Sequence, residues 1–179
     1  DAFASDPWGR NVFGVPPQGR ADYAFQQHIN KSLKPKTGRC AVLWPHGVLF
    51  RGSSEAAIRQ HLIENDMLEA VVGLAPNLFY GTTIPACLLF FRATKDDERQ
   101  GHVLFIDGAK RFTKGKNQNE LSESDVEDLF AVYKSNGTIE KTDIAARLVP
   151  HDEIAGNKWD LNIGRYLKTA AAEVVDVTM

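Results

Sequence analysis

The stretch Ile58–Arg92, IRQHLIENDMLEAVVGLAPNLFYGTTIPACLLFFR, decides the fold class. Within it Leu68–Leu74 (LEAVVGL) and Ile84–Arg92 (IPACLLFFR) are apolar runs of strand length, the second the most apolar in the chain. Pro76-Asn77 and Gly81 punctuate the segment between them. Short apolar runs rich in Val, Leu and Phe and bounded by turn residues read as buried strands rather than amphipathic helices. Upstream, Ile58 and Leu62 form the core side of a helix that Ser54 caps and that runs to about Asn65. Helix, strand, turn and strand in this order give an α/β layer.

Outward from that segment the alternation continues. Arg39–Trp44 (RCAVLW), between Gly38 and Pro45, reads as another strand buried on both faces. Before it, Asp22–Leu33 predicts a helix with Phe25, Ile29 and Leu33 as the buried stripe, ended by Pro35. The first twenty residues, dense in Gly, Pro, Asp and Asn, read as one long loop. Downstream, the charged turn KDDERQG leads to a fourth strand, His102–Asp107. So short a link favours an antiparallel hairpin between these two strands. Ser122 opens a Ser-x-x-Asp capping box, with Val126, Leu129, Phe130 and Tyr133 as the predicted buried stripe and Asn136-Gly137 as the stop. The last residues, rich in Ala and Val, read as the start of a further helix, so that the domain runs over 1–167 and a tail over 168–179.

Composition excludes several classes. The 179 residues carry a net charge of −2 and are 43% hydrophobic, enough for a core and too apolar for a disordered chain. No apolar run approaches the roughly 20 residues of a membrane helix. Cys40 and Cys87 are far apart and show no ligand spacing, which argues against a disulfide scaffold or zinc ribbon and for a reducing, cytoplasmic setting. No dinucleotide, P-loop, zinc-protease or serine-hydrolase signature is present. The sequence starts at Asp1, without an initiator Met or a signal-peptide pattern, as a piece of a larger protein would.

Three features carry candidate chemistry, each with two readings. His46 follows the strand ending at Trp44, where open α/β sheets collect ligands; it reads either as a site residue or as a loop residue satisfying backbone. Phe79 and Tyr80, adjacent in a loop, either pack on a neighbour or stack on a flat ligand. Lys110–Lys116 (KRFTKGK), followed by Asn117-Gln118-Asn119, gathers Lys110, Arg111, Lys114 and Lys116 around Phe112; it reads as a phosphate contact or as a solvated loop.

Taken together, the segments DPWGR (Asp6–Arg10), Gly14–Ile29, GRCAVLWPHGVLFRG (Gly38–Gly52), Ile58–Leu89, GKNQN (Gly115–Asn119) and WDLNIGRY (Trp159–Tyr166) resemble, in order, the methyltransferase subunit of type I restriction–modification systems. The resemblance implies an S-adenosylmethionine-dependent DNA adenine-N6 methyltransferase with a Rossmann-like sheet, working beside specificity and restriction subunits. It implies that Arg39–Trp44, Leu68–Leu74 and Ile84–Arg92 are that sheet's fifth, sixth and seventh strands, the last two forming a hairpin. The glycine-rich cofactor loop and the Asn/Asp-Pro-Pro-Phe/Tyr catalytic loop of such enzymes are absent. Val15-Pro16-Pro17-Gln18 lacks both the polar first and the aromatic last residue of the latter. The expectation is therefore the C-terminal half of a catalytic domain, beginning after the catalytic loop, with no catalytic residue of its own.

Carried over residue by residue, the resemblance places Phe79, Tyr80 and Thr82 at the pocket for the flipped base, and Pro45, His46 and Gly47 at the border of the same cleft. Lys114, Lys116 and Asn117 become DNA-backbone contacts. Direct transfer from S-adenosylmethionine to the extruded adenine needs no metal. The chain alone is expected to be inactive, to bind the cofactor undetectably and to expose an unpaired sheet edge that favours self-association. The alternative is a non-catalytic assembly module that completes a partner chain.

Overall fold

A computed structural model describes residues 5–139 and 142–167; the predicted helical tail, 168–179, lies outside the described residues. Five strands form one sheet: β1 (Arg39–Pro45), β2 (Leu68–Leu74), β3 (Ala86–Arg92), β4 (His102–Gly108) and a late strand, Ala146–Pro150. Between the last two lies a small hairpin, β5 (Thr113–Lys114) and β6 (Asn119–Glu120), so the late strand is β7. The order across the sheet is β1-β3-β2-β4-β7. β1 and β2 each run antiparallel to β3 and hence parallel to one another. β4 is parallel to β2, and β7 antiparallel to β4.

The expected α/β layer and the β2–β3 hairpin are present, and the order corrects two expectations. β3 and β4 do not pair, because β2 lies between them. Their link instead carries a short 3₁₀ turn, Asp97–Arg99, past the start of β2. β1 is not buried on both faces either: among the described residues it ends the sheet, and Arg39, Ala41, Leu43 and Pro45 alternate outward into solvent. The buried central strands are β2, covered along all seven residues, and β3, whose two ladders account for its extreme apolarity.

Strand alternation divides the core in two. On one face Val71, Cys87, Leu89, Phe91, Val103 and Phe105 pack under α1 (Asp22–Lys31), α2 (Gly47–Phe50), α3 (Ser54–Glu64), α5 (His151–Gly156) and α6 (Ile163–Tyr166). On the other, Ala70, Val72, Leu74, Leu104 and Ile106 pack under α4 (Glu123–Lys134). The capping box of α4 forms as expected: Ser122 Oγ accepts from Asp125 N and the Asp125 carboxylate accepts from Ser122 N. Its buried stripe is shifted. Val132 is buried with Leu129 and Tyr133 against the core, whereas Val126 is exposed and Phe130 is 59% exposed. These two border an open apolar groove over Leu88 and Phe90.

α1 also turns a different face inward. Phe25 is 58% exposed, while Gln26, Gln27 and Asn30 are buried. Their amides do structural work that an apolar stripe could not. Gln27 accepts from Phe13 N and donates to Gly14 O, holding the N-terminal loop, and Gln26 accepts from the Trp44 indole. The helix predicted to be capped by Ser54 begins there, but Ser53 occupies the N-cap with φ +60° and no side-chain cap bond. The PHGVLFRG and WDLNIGRY segments meet on buried Arg59, which donates to the carbonyls of Val48, Arg51 and Trp159. Leu161 N adds a bond to Leu49 O.

Two buried charge clusters lie where β2 and β4 begin. Glu69, on β2, accepts from Arg99 Nη1 at 2.8 Å and Tyr133 Oη at 2.9 Å, and faces Arg92 Nε at 3.0 Å. Arg99 also donates to Asn136 and lies over the Tyr133 ring. Beside it, Lys95 Nζ donates to Asp66 Oδ1 and His102 O, both at 2.6 Å, and His151 Nε2 lies 3.4 Å from the same Asp66 oxygen.

Burial, reinforced by Lys95 and His102, holds the His151 pKa below its ordinary 6.5 against the opposing pull of Asp66 and Asp152. The unfolded chain therefore binds the proton more readily, so this contribution to stability is full above pH 6.5 and is lost as pH falls toward the lowered folded value. Urea denaturation at pH 7.5 and 5.5 will show a stability loss that shrinks in His151→Gln. An equal loss in both proteins would remove His151 as its source.

Candidate nucleic-acid interface

β1, β2 and β4 run parallel, so their carboxyl ends share one side of the sheet: Pro45 pairs with Ala86, Gly73 with Cys87, and Leu74 with Gly108. That side is where open α/β sheets place ligands. Each sequence-predicted group follows one of these ends. Pro45-His46-Gly47 follows β1, the loop with Phe79, Tyr80 and Thr82 follows β2, and the basic segment follows β4.

His46 opens α2, and its imidazole Nε2 lies 3.0 Å from the Ala86 carbonyl, so it ties the end of β1 to the start of β3. This is the backbone-satisfying arrangement of the two readings. Gly47 is packed tightly: a Cβ there would stand 2.6 Å from the Arg51 guanidinium. Arg51 is itself held by a bidentate pair with buried Glu55 and by Asp22.

The two adjacent aromatics separate cleanly. Phe79 is partly buried and packs with Leu78 against the Val72, Leu74 and Ile106 core, whereas Tyr80 is 97% exposed. A bend at Gly81 (φ +76°) follows, and Thr82 Oγ1 accepts from Ile84 N. Thr82 thus braces the loop, and Tyr80 is the free ring.

The basic segment folds as the β5–β6 hairpin, with Lys114 opposite Asn119 and Gly115 N donating to Gln118 O. Gly115 is the one residue type that fits this turn, since a Cβ would lie 2.4 Å from the Gln118 carbonyl oxygen. Lys114, Lys116 and Asn117 are exposed. Arg111 is not available with them, being paired to Asp128 at 3.2 Å and to Asp143.

Sequence reasoning missed how the hairpin meets the aromatic loop. Asn119 N donates to Asn77 O at 2.8 Å, Asn119 Nδ2 to Pro76 O at 2.8 Å, and Asn77 Nδ2 reaches Asn117 O at 3.4 Å. The visible signals were Pro76-Asn77, whose Asn takes φ +55°, and the run of amide side chains in GKNQN. The cysteines add no chemistry here: burial pushes the Cys87 thiol up to about 12 and raises Cys40 as well, which disfavours the reactive thiolate.

A sequence model of the N-6 DNA Methylase family matches residues 1–174. The chain belongs to that family. Among curated N-6 DNA methylase relatives, it is 32% identical over 178 residues to the Type I restriction enzyme HindI methylase subunit of Haemophilus influenzae, covering 97% of this chain and 39% of that protein. It is 33% identical over 159 residues to the MjaVIII methylase subunit of Methanocaldococcus jannaschii, covering 87% of this chain and 26% of that one. The chain thus spans between a quarter and two-fifths of the length of these methylase relatives. Its backbone superposes on a type I restriction-modification system methyltransferase subunit from Streptococcus thermophilus with a TM-score of 0.81 and 37% identity, over 92% of this chain and 34% of that one. The family resemblance read from the ordered motifs and the Rossmann-like class of the sheet both hold.

Proposed function

We propose that residues 1–167 form one wall of the target-base cleft in a type I DNA adenine-N6 methyltransferase, which transfers a methyl group from S-adenosylmethionine to a flipped adenine. The observation that carries this reading is the convergence of three groups at the carboxyl ends of β1, β2 and β4: a free aromatic ring, a rigid cleft border and exposed lysines. Tyr80 offers a π-face to the extruded base. Pro45, His46 and Gly47 border the cleft, and Thr82 keeps the aromatic loop in shape. Lys114, Lys116 and Asn117 contact the DNA backbone, positioning the duplex without reading its sequence. Target choice then falls to a specificity subunit, with a restriction subunit in the same assembly.

These residues do not fit the cofactor by themselves. At the carboxyl ends of β1, β2 and β4, among the described residues, the helix that opens directly from a strand is α2; it has four residues, and its glycine is filled from behind by Arg51 rather than left open as a cradle. The glycine-rich loop and the Asn/Asp-Pro-Pro-Phe/Tyr loop are therefore assigned to polypeptide that this sequence does not contain. We place that polypeptide beside the free edge of β1, where Ala41 and Leu43 are exposed. Left without it, the chain is inactive and pairs with itself through this edge.

Two measurements on the isolated chain test the assignment. Calorimetry with S-adenosylmethionine is expected to give no detectable heat, and sedimentation velocity to show a species larger than the monomer. Micromolar cofactor binding would overturn the missing-site assignment, and a strictly monomeric chain would overturn the open-edge assignment.

A further inference from the structure

The loop that presents Tyr80 is short of internal support. Leu78 and Phe79 anchor it on the core, and Thr82 Oγ1 closes its far side, but its entry at Pro76-Asn77 is paired with no strand of the five-stranded sheet among the described residues. The β5–β6 hairpin supplies what is missing there. Asn119 donates twice across the gap, from its backbone N–H to Asn77 O and from its side-chain amide to Pro76 O, both at 2.8 Å. Asn77 takes a left-handed backbone, φ +55°, which Asn tolerates and most residues do not. Fixing the two carbonyls on either side of that conformation fixes the direction in which the loop leaves β2.

We infer that Asn119 is a positioning residue: through Pro76 and Asn77 it sets the loop that carries Tyr80, and it does so from the same hairpin that carries Lys114 and Lys116. Lys114 pairs directly with Asn119 across the hairpin, and Lys116 and Asn117 form its tip. A phosphate seated on the lysines therefore bears on the residue that aims the ring. Backbone contact and base capture become parts of one rigid unit rather than two independent events. This inference rests on the base-cleft reading of Tyr80 given above.

Hydrogen exchange tests the placement on the chain itself. Asn119→Asp keeps the size of the side chain but replaces its donor with an acceptor, facing the Pro76 carbonyl with negative charge. Amides of Leu78 to Thr82 are expected to exchange roughly five- to tenfold faster, on the order of one lost hydrogen bond, with β2 and β3 unchanged. Gly115→Ala touches neither Pro76 nor Asn77 yet distorts the hairpin, so it is expected to loosen the same amides. Asn119→Gln, which retains an amide donor, is expected to restore part of the protection. Unchanged exchange in Asn119→Asp overturns the inference, whatever Tyr80 does.

The functional arm uses the whole methylase bearing this sequence, with 2-aminopurine at the target position to read base extrusion and an otherwise identical adenine duplex to read turnover. Asn119→Asp is expected to lower the fluorescence rise on DNA binding and kcat, with little change in KM for DNA. A loosened loop with an undiminished fluorescence rise would separate Asn119 from base capture and overturn the inference, while Tyr80→Ala remained diagnostic of the cleft. If Tyr80→Ala also left the rise intact, the base-cleft reading itself would fall.

Discussion

Tyr80→Ala is expected to lower adenine methylation by the whole methylase roughly 5- to 150-fold, the range that corresponds to losing ~1–3 kcal/mol of base–aromatic stacking. The folded chain should not register the change. A ring that is 97% exposed contributes almost nothing to the core, so the unfolding free energy should stay within about 0.5 kcal/mol of the parent. Tyr80→Phe keeps the π-face and should retain most activity, whereas Tyr80→Leu keeps bulk without it and should not. The neighbouring ring supplies the contrast. Phe79→Ala removes a side chain packed against the core cluster under α4 and should cost stability as well as rate. Methylation of a synthetic duplex followed by labelled methyl incorporation reads the rate, and urea titration reads the fold. Parent-like methylation by Tyr80→Ala would transfer the stacking role away from this loop.

The largest loss of stability is expected from Glu69→Ala. Its carboxylate meets Arg99 and Arg92 and accepts from the Tyr133 hydroxyl, all beside the start of β2. Removing one partner from a buried ionic cluster leaves the others uncompensated in a poorly solvated site, which typically costs about 3–5 kcal/mol. Arg92 retains Asp96 at 3.1 Å, but Arg99 keeps only neutral partners, the Asn136 side chain and the Tyr133 backbone and ring. Glu69→Gln keeps an acceptor and should fall between parent and alanine variant. Urea denaturation followed by tryptophan fluorescence measures both. A loss below about 1 kcal/mol for Glu69→Ala would show that Arg92 and Arg99 find water or new partners when the carboxylate is gone.

The strands were readable because their apolar runs are short, concentrated and bounded by Gly and Pro, and six ordered segments were enough to indicate the family. What escaped was pairing. Nothing in KDDERQG reveals that β2 already occupies the position beside β3, since adjacency in a sheet depends on the α3 crossover that leaves a slot between β1 and β2. Edge position was equally invisible: Arg39–Pro45 has the composition of a central strand and the exposure of an outer one. The helical stripes misled for another reason. Gln26, Gln27 and Asn30 are drawn inward by backbone and indole groups that need partners, an attraction that hydrophobic periodicity does not register. At the candidate site the residue types were legible, but their division of labour was not. Only packing distinguishes Phe79, held by the core, from Tyr80, and only the folded hairpin brings Asn119 to Pro76.

The sheet keeps its costly electrostatics and its exposed chemistry at opposite ends. Glu69, Asp66 and Lys95 bind together the starts of β2 and β4, while Tyr80 and the lysines stand where those strands finish. A lineage carrying this fold is consequently free to experiment. Substitutions in the loops beyond Leu74 and Gly108 draw little on the reserve that keeps the chain folded, so the DNA contacts proposed for them can drift and be reselected while the scaffold beneath them stays the same.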